Sequence, residues 1–460
     1  MMTIIAIDKD ICTGCQECSK VCPVYAIEGN PHEPQKIVEE RCVNCGQCVQ
    51  KCKSYVSLID NGAALYAQKR AERHLPETLT EPLFAAYNVC HLDEVIEALK
   101  SPKFTMIMAA PAVRVALAED FGMPLGSLTP GKMAAAMRRL GFKKVYDTNW
   151  SADLTIMEEA TELVKRVTSG GVLPMFTSCC PAWIKYIETQ HPNLTKHLST
   201  CRSPQQMAGP MFKTYGAQIN KVNPKDIYLV SVMPCTAKQF ECSRPEMNAS
   251  GQRDVDVAIT TRELAYLIKY YGIDFNSLPE EEFDMPLGDY TGAGTIFGVT
   301  GGVMEAAIRT GYTFITGKEL GPKEVDIKAV RGTEGFRTAE IKAGDLTLKV
   351  GILTYLKNID PLIEKIEAGT LDLHFIEVMT CPEGCVSGGG QPKLVLDAEI
   401  PEAYKDRREA TFNHDKNLPK RKSHENPAIK KIYEDFLKEP CGEKSHHLLH
   451  TTYKGSGGHH

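Results

Sequence analysis

His374-Phe-Ile-Glu-Val-Met-Thr-Cys-Pro-Glu-Gly-Cys-Val-Ser-Gly-Gly-Gly-Gln-Pro392 begins as a short apolar run and turns, within two residues of Met379, into cysteines and glycines. A brief apolar run closed by turn residues is the mark of a buried strand. Cys381 and Cys385 then offer two thiolates, soft ligands suited to iron and sulfide. Gly388, Gly389 and Gly390 let the backbone pass close to a bulky group, because no Cβ stands in the way. Two cysteines cannot hold a four-iron cubane, so this stretch needs ligands from elsewhere in the chain.

Upstream, short apolar runs at 104–109, 144–147, 172–176, 228–232, 255–259 and 349–353 read as further strands. Amphipathic stretches at 132–140, 152–167, 262–271 and 302–312 read as helices between them. Strands alternating with helices predict an α/β architecture with largely parallel sheets. Ligands in such folds collect at the carboxyl ends of strands. Two more cysteine segments occupy such ends: Met175-Phe-Thr-Ser-Cys-Cys-Pro-Ala-Trp183 and Val232-Met-Pro-Cys-Thr-Ala-Lys-Gln-Phe-Glu241. With Cys381 and Cys385 they supply one thiolate more than a cubane requires.

The N-terminal stretch carries Cys12, Cys15, Cys18 and Cys22, followed by Pro23, and repeats the spacing with Cys42, Cys45, Cys48 and Cys52. This Cys-x2-Cys-x2-Cys-x3-Cys run resembles the bacterial two-cluster ferredoxins, in which the fourth cysteine of each run ligates the other cluster. Cys12, Cys15, Cys18 and Cys52 are thus expected on one [4Fe–4S] cluster, and Cys42, Cys45, Cys48 and Cys22 on the other. Zinc knuckles seldom use such a run. Lys53 stands where the second run would carry a proline.

A chain of 460 residues and 50.8 kDa has room for two or three domains. A net charge of -5 without a clustered basic arm argues against a nucleic-acid partner. No apolar run is long enough for a membrane span. The N-terminus enters a cysteine motif almost at once, leaving no room for a signal peptide, so a cytoplasmic location is expected. The 17 cysteines fit a reducing compartment, as metal ligands rather than disulfides.

The three cysteine segments, in this order, resemble the signature motifs of the FeFe (iron-only) hydrogenases, and the two-cluster stretch resembles that family's N-terminal extension. The resemblance implies an α/β fold: a two-lobed catalytic domain with parallel sheets over 104–400, preceded by an α+β ferredoxin-like domain over 1–60. A helical connector over 61–103 would join them, and a helical segment over 401–453, like the family's small subunit, would wrap the catalytic domain. Residues 454–460 look like an expression tag.

The implied cofactor is an H-cluster, a [4Fe–4S] cubane linked to a di-iron unit with CO, cyanide and azadithiolate ligands. By position, Cys180, Cys235, Cys381 and Cys385 would ligate the cubane, with Cys385 bridging to the di-iron unit. Cys179, the extra thiol, would deliver protons, fed by Glu159, Ser199, Glu162 and Arg166. Lys238 would donate to a cyanide, while Met233, Met379, Ala110, Pro111, Ser203, Gln205 and Phe297 would line the pocket. The implied reaction is the interconversion of protons, electrons and H2. A ferredoxin or similar carrier would be the electron partner, and maturation enzymes would install the di-iron unit. The alternative is a hydrogen-sensing, low-turnover relative.

Glu159 and Glu162, three apart, share a helix face, whereas adjacent Glu158 is expected on a solvated face. Cys90, Cys201 and Cys242 are expected in packing roles and Cys441 in none, and no metal role is expected for the C-terminal histidines. Thr380 and Glu383 depart from the family's small residues beside the cofactor.

Overall fold

The computed structural model describes residues 4–59, 62–76 and 78–455, so the last five residues of the tag-like 454–460 stretch lie outside the described residues. At the centre of the catalytic region stand two four-stranded sheets. In the first, Val257–Thr260, Ile227–Met233, Phe104–Ala109 and Lys144–Asp147 run side by side, all parallel. Met106, Ile107, Met108 and Ala109 are wholly buried. Strands covered on both faces read as continuous apolar runs, and each buried Met or Ile contributes roughly 1.5–3 kcal/mol.

The second sheet has the order Phe336–Ala343, Leu346–Thr354, Phe375–Met379, Met175–Phe176. Its last three strands are parallel, but Phe336–Ala343 pairs antiparallel with Leu346–Thr354 through a hairpin. That edge strand was not foreseen. Its half-exposed, alternating pattern carries too little apolar character to announce a buried strand. The strand expected over 172–176 shortens to Met175–Phe176, after the Leu173–Pro174 step.

The ferredoxin-like unit consists of two short helices, Glu17–Lys20 and Gln47–Lys51, and small antiparallel pairs. One pair lies within it, Ile27–Glu28 with Lys36–Ile37. The others recruit the following stretch: Ile5–Ile7 pairs with Ala86–Asn88, and Tyr55–Val56 with Leu83–Phe84. Residues 61–103, expected as a helical connector, therefore carry the helices Ala63–Glu72 and Leu92–Lys100 and also two strands that complete the N-terminal unit.

The C-terminal helices Ile400–Asn417, Pro427–Ile432 and Glu443–Leu449 lie against the catalytic sheets. Buried ion pairs fasten them, among them Arg309 with Asp415 at 2.9 Å and Arg407 with Glu119. Among the described residues no helix is long and apolar enough to cross a membrane.

Candidate active site

Every cysteine motif of the catalytic region follows the carboxyl end of a strand. Met175–Phe176 leads into Cys179 and Cys180, Ile227–Met233 into Cys235, and Phe375–Met379 into Cys381 and Cys385. These ends converge on one cavity lined by all five cysteines together with Ala110, Pro111, Gln205, Met233, Lys238, Phe297 and Met379. Thr380, expected beside the cofactor, stands there, as do Thr148 and Ala152, which the motifs did not single out. Ser203 does not. Its hydroxyl caps the helix Pro204–Lys213 and donates to Glu241 Oε2 at 2.8 Å, because at a helix start the capping bond claims it.

The donor set fits the implied group. Four thiols plus a fifth, in a lining whose other polar side chains are Lys238, Gln205, Thr148 and Thr380, match a cubane with a second unit beside it. Burial, followed by neighbouring thiols, pushes Cys235 and Cys385 each up to about 12. Such thiols ionise only against a metal, which inverts the local logic. Lys238 is the cationic group in the lining, suited to anionic ligands.

Lys238 is held by a residue that the motif reading left without a role. Its Nζ donates to Glu241 Oε2 at 2.9 Å and to the Cys179 carbonyl at 3.1 Å. Burial pulls the ammonium down, but Glu241 outweighs it and the net shift is upward. Gln205 Nε2 donates to the same carboxylate oxygen at 2.9 Å, while Gln205 Oε1 accepts from Ser231 at 2.6 Å. Glu241, one helical turn from Lys238 in Ala237–Ser243, was recognisable only as an i,i+3 partner.

The relay candidates lie along the helix Thr148–Ser169. Ser199 Oγ donates to Glu162 Oε2 at 2.8 Å, and Arg166 Nη2 donates to Glu162 Oε1 at 2.6 Å. Arg166 also donates to the Leu198 carbonyl at 2.8 Å, which pins it beside the strand end. Glu159 is buried, and neither of its carboxylate oxygens meets a hydrogen-bond partner. Burial, then the neighbouring Glu162 charge, pushes it up to about 8. The Cys179 thiol is driven well above its ordinary value by burial and then by Glu159.

Glu158 is not on a solvated face. It is fully buried, accepting from the Tyr433 hydroxyl, from the Cys441 N–H at 2.6 Å and from His450 Nε2 at 3.0 Å. The C-terminal segment covers the side of the helix that would otherwise meet water. Burial works to raise Glu158, but the bonds from His450 and Tyr433 win and its pKa falls. Cys201 and Cys242 are buried in the first sheet's core, and Cys90 packs half-buried against it. The Glu383 carboxylate pairs with Arg408, which offsets its charge beside the cavity.

At the N-terminal unit, Cys22, Cys42, Cys45 and Cys48 line one small cavity. Cys18 is pushed up to about 12 by burial and then by Cys52, Cys12 and Cys15, its near neighbours. Backbone N–H groups point at several of these sulfurs: Gln35 at Cys12, 3.4 Å; Ala26 at Cys22, 3.2 Å; and Ala86 at Cys52, 3.3 Å. Oriented donors of this kind suit cluster thiolates.

The Cys45 loop meets the catalytic glycines directly. A Cβ on Gly389 would stand 2.2 Å from the Cys45 carbonyl, and one on Gly46 would stand 2.6 Å from Thr236 Oγ1. Gln47 and Gln50 add hydrogen bonds of 3.0 and 2.6 Å to the Ser387 and Gln391 carbonyls.

Comparison with known proteins bears on the family and the fold. The model of the iron only hydrogenase large subunit, C-terminal domain, matches residues 103–389, and that of the iron hydrogenase small subunit matches 401–456. A 4Fe-4S dicluster domain model matches 4–53. The chain is 47% identical over 399 residues to the large subunit of the periplasmic [Fe] hydrogenase of Nitratidesulfovibrio vulgaris, covering 86% of this chain and 88% of that one. It is 43% identical over 466 residues to a subunit of the NADP-reducing hydrogenase of Solidesulfovibrio fructosivorans, covering 97% and 74%. Among solved structures it resembles an apo [FeFe]-hydrogenase variant of Chlamydomonas reinhardtii, with TM-score 0.71, 40% identity, and coverage of 80% and 100%.

Proposed function

Because this chain belongs to the iron-only (FeFe) hydrogenases, which interconvert protons, electrons and molecular hydrogen, we propose that Cys179 exchanges the proton at the cavity. Glu159, Ser199, Glu162 and Arg166 carry that proton between the cavity and the surface. The observation that carries this reading is the fifth thiol. Cys180, Cys235, Cys381 and Cys385 suffice to hold the cubane, and Cys179 stands in the same cavity without a ligand's task.

The H-cluster, when bound, supplies the electron storage and the iron chemistry at which protons and electrons become H2. The protein's own share is positioning and proton handling. Lys238, kept charged by Glu241, offers its remaining hydrogen-bonding capacity to anionic ligands. Met233, Met379, Phe297, Ala110 and Pro111 exclude water. Glu159, poised at about 8, is neutral at pH 7 yet gives up its proton at little cost. Ser199 and Glu162, joined by a hydrogen bond, take the next step, and Arg166 steadies the Glu162 carboxylate near the surface.

Electrons enter through the N-terminal clusters. Cys15 is exposed and marks the entry, and Cys45 against Gly389 marks the step into the catalytic domain. A ferredoxin or a similar one-electron carrier is the partner, and dedicated maturation enzymes install the di-iron unit. Cysteines that are all free among the described residues support a reducing, cytoplasmic setting.

The test is Cys179→Ala in matured protein. Its iron content and its infrared bands in the CO and cyanide region should match the parent, while hydrogen evolution from reduced methyl viologen falls at least ~100-fold. Undiminished turnover would remove Cys179 from the proton path.

A further inference from the structure

One group of side chains of metal-ligating type lies outside the cavity and the N-terminal cluster unit and has no part in the proton relay. The C-terminal segment reads Cys441-Gly-Glu-Lys-Ser-His-His-Leu-Leu-His450, a Cys-x4-His-x3-His spacing. The helix Glu443–Leu449 sets His446 and His450 one turn apart, their ring centroids 4.2 Å from each other. The Cys441 sulfur and one nitrogen from each of these histidines all lie within 4.8 Å of one another. We propose that Cys441, His446 and His450 form a binding site for a divalent transition metal of the zinc type.

The ligand types select the metal. One thiolate and two imidazoles suit zinc, whereas magnesium and calcium want oxygen. A fourth position stays open to water.

The surroundings are arranged as metal sites arrange them. Metal-ligating histidines use their second nitrogen, or a nearby carboxylate, to fix the ring. His450 Nδ1 is 2.8 Å from Thr200 Oγ1, which fixes the ring, so ligation would draw Nε2 away from its 3.0 Å contact with Glu158 Oε2. The same carboxylate oxygen takes the Cys441 N–H at 2.6 Å, so Glu158 holds the backbone of the thiol ligand in place. Cys441 adopts φ 53°, a left-handed conformation that costs a side-chain-bearing residue energy and is kept here by the Glu158 contact.

His450 also lies within 4.8 Å of Cys201 and Glu162. That second trio is the poorer site, because Cys201 is wholly buried and Glu162 is already taken by Arg166 and Ser199. The outer trio opens to solvent through exposed His446, which provides the way in. A bound ion would fasten the Cys441 turn to the last helix, directly over the relay helix.

The experiment uses the full, iron-loaded chain. It is equilibrated with equimolar zinc chloride and desalted. Zinc is then counted by mass spectrometry, and its ligands are read by Zn K-edge X-ray absorption, to which iron is silent. The expected result is one zinc per chain with one sulfur at ~2.3 Å and two nitrogens at ~2.0–2.1 Å. The double variant Cys441→Ala/His446→Ala should lose it while retaining the parent's iron content and circular dichroism. His459 and His460 are present in both proteins, so the difference between them isolates the proposed site. Zinc retained equally by the double variant, zinc absent from the parent, or a four-sulfur environment would each overturn the assignment. If the double variant loses its iron, Cys441→Ser decides instead. The parent's single sulfur scatterer must vanish, and its persistence would overturn the assignment.

Discussion

Replacing Glu159 by glutamine should abolish turnover and stabilise the fold, and the stabilisation should depend on pH in a defined way. The carboxyl is pushed from an ordinary 4.5 up to about 8, by burial first and the Glu162 charge second. In the unfolded chain it ionises near 4.5, whereas in the folded chain it holds its proton until about pH 8. Between those values the native state binds more protons, so stability falls as pH rises across the window and is constant above it. At ~1.4 kcal/mol per unit, the burden is about 3 kcal/mol at pH 7, about 5 kcal/mol above pH 8 and near zero at pH 4.5. Glutamine is nearly isosteric with the neutral acid and carries no such burden.

Unfolding entropy of ~2.1 cal/mol/K per residue over 460 residues gives about 1 kcal/mol per degree. The variant's Tm should therefore exceed the parent's by about 3 °C at pH 7 and about 5 °C at pH 9, and match it near pH 5. Calorimetry of cubane-loaded protein at the three pH values reads this directly. Hydrogen evolution from reduced methyl viologen, measured on matured samples, should fall ~100-fold or more. A Tm gap that does not change with pH would mean that the carboxyl titrates normally. Retained turnover would remove Glu159 from the relay.

Thr380 Oγ1 lies 3.2 Å from Cys180 Sγ, and a ligated thiolate, having no proton, must accept from that hydroxyl. Such a bond favours the reduced cubane by ~1 kcal/mol, so Thr380→Ala should lower the cubane potential by about 40 mV in an EPR-monitored titration of cubane-only protein; an unchanged potential would refute the bond. Lys238→Met leaves the Glu241 carboxylate buried without its cation and should cost about 3–5 kcal/mol of stability. Adding Glu241→Gln should restore most of that loss in thermal unfolding, and a double variant as unstable as the single would disprove the coupling. Gly389→Ala drives a Cβ into the Cys45 carbonyl, 2.2 Å away. It should loosen the N-terminal unit and slow electron delivery from a ferredoxin more than from methyl viologen; equal rates with both donors would count against this junction as the electron path.

The parallel strands and the cysteine motifs at their carboxyl ends were readable because each depends on local pattern. Phe104–Ala109 and Phe375–Met379 are continuous apolar runs, and thiolate spacing reports cluster chemistry wherever the chain goes. What stayed hidden depends on distant partners. The strands Leu83–Phe84 and Ala86–Asn88 are too short to announce themselves, and they exist because Tyr55–Val56 and Ile5–Ile7 offer edges to pair with. Ser203 matched a pocket position by resemblance, yet the start of its own helix and Glu241 claim the hydroxyl. Glu241 carries no motif signature beyond its spacing from Lys238, and its structural weight shows only once it is seen buried, with three donors, from Ser203, Gln205 and Lys238, on its carboxylate.

Glu158 and Glu159 show most sharply why spacing alone could not assign the site. They are neighbours of identical chemistry on one helix, and both are buried. Desolvation pushes both upward to begin with. Glu158 meets three donors, from Tyr433, Cys441 and His450, all supplied by a segment some 275 residues or more away in sequence. They reverse the sign, leaving a fixed anion that anchors the C-terminal segment. Glu159 meets no donor within hydrogen-bonding geometry and faces a second carboxylate instead, which raises it further. A largely buried helix can therefore hold a fixed anion and an acid of raised pKa at adjacent positions. The difference lies in which of the two carboxylates meets the C-terminal wrap. The wrap thus does more than cover the helix. By surrounding Glu158 with donors it holds that carboxyl below its ordinary value, while Glu159, without them, is held above its own.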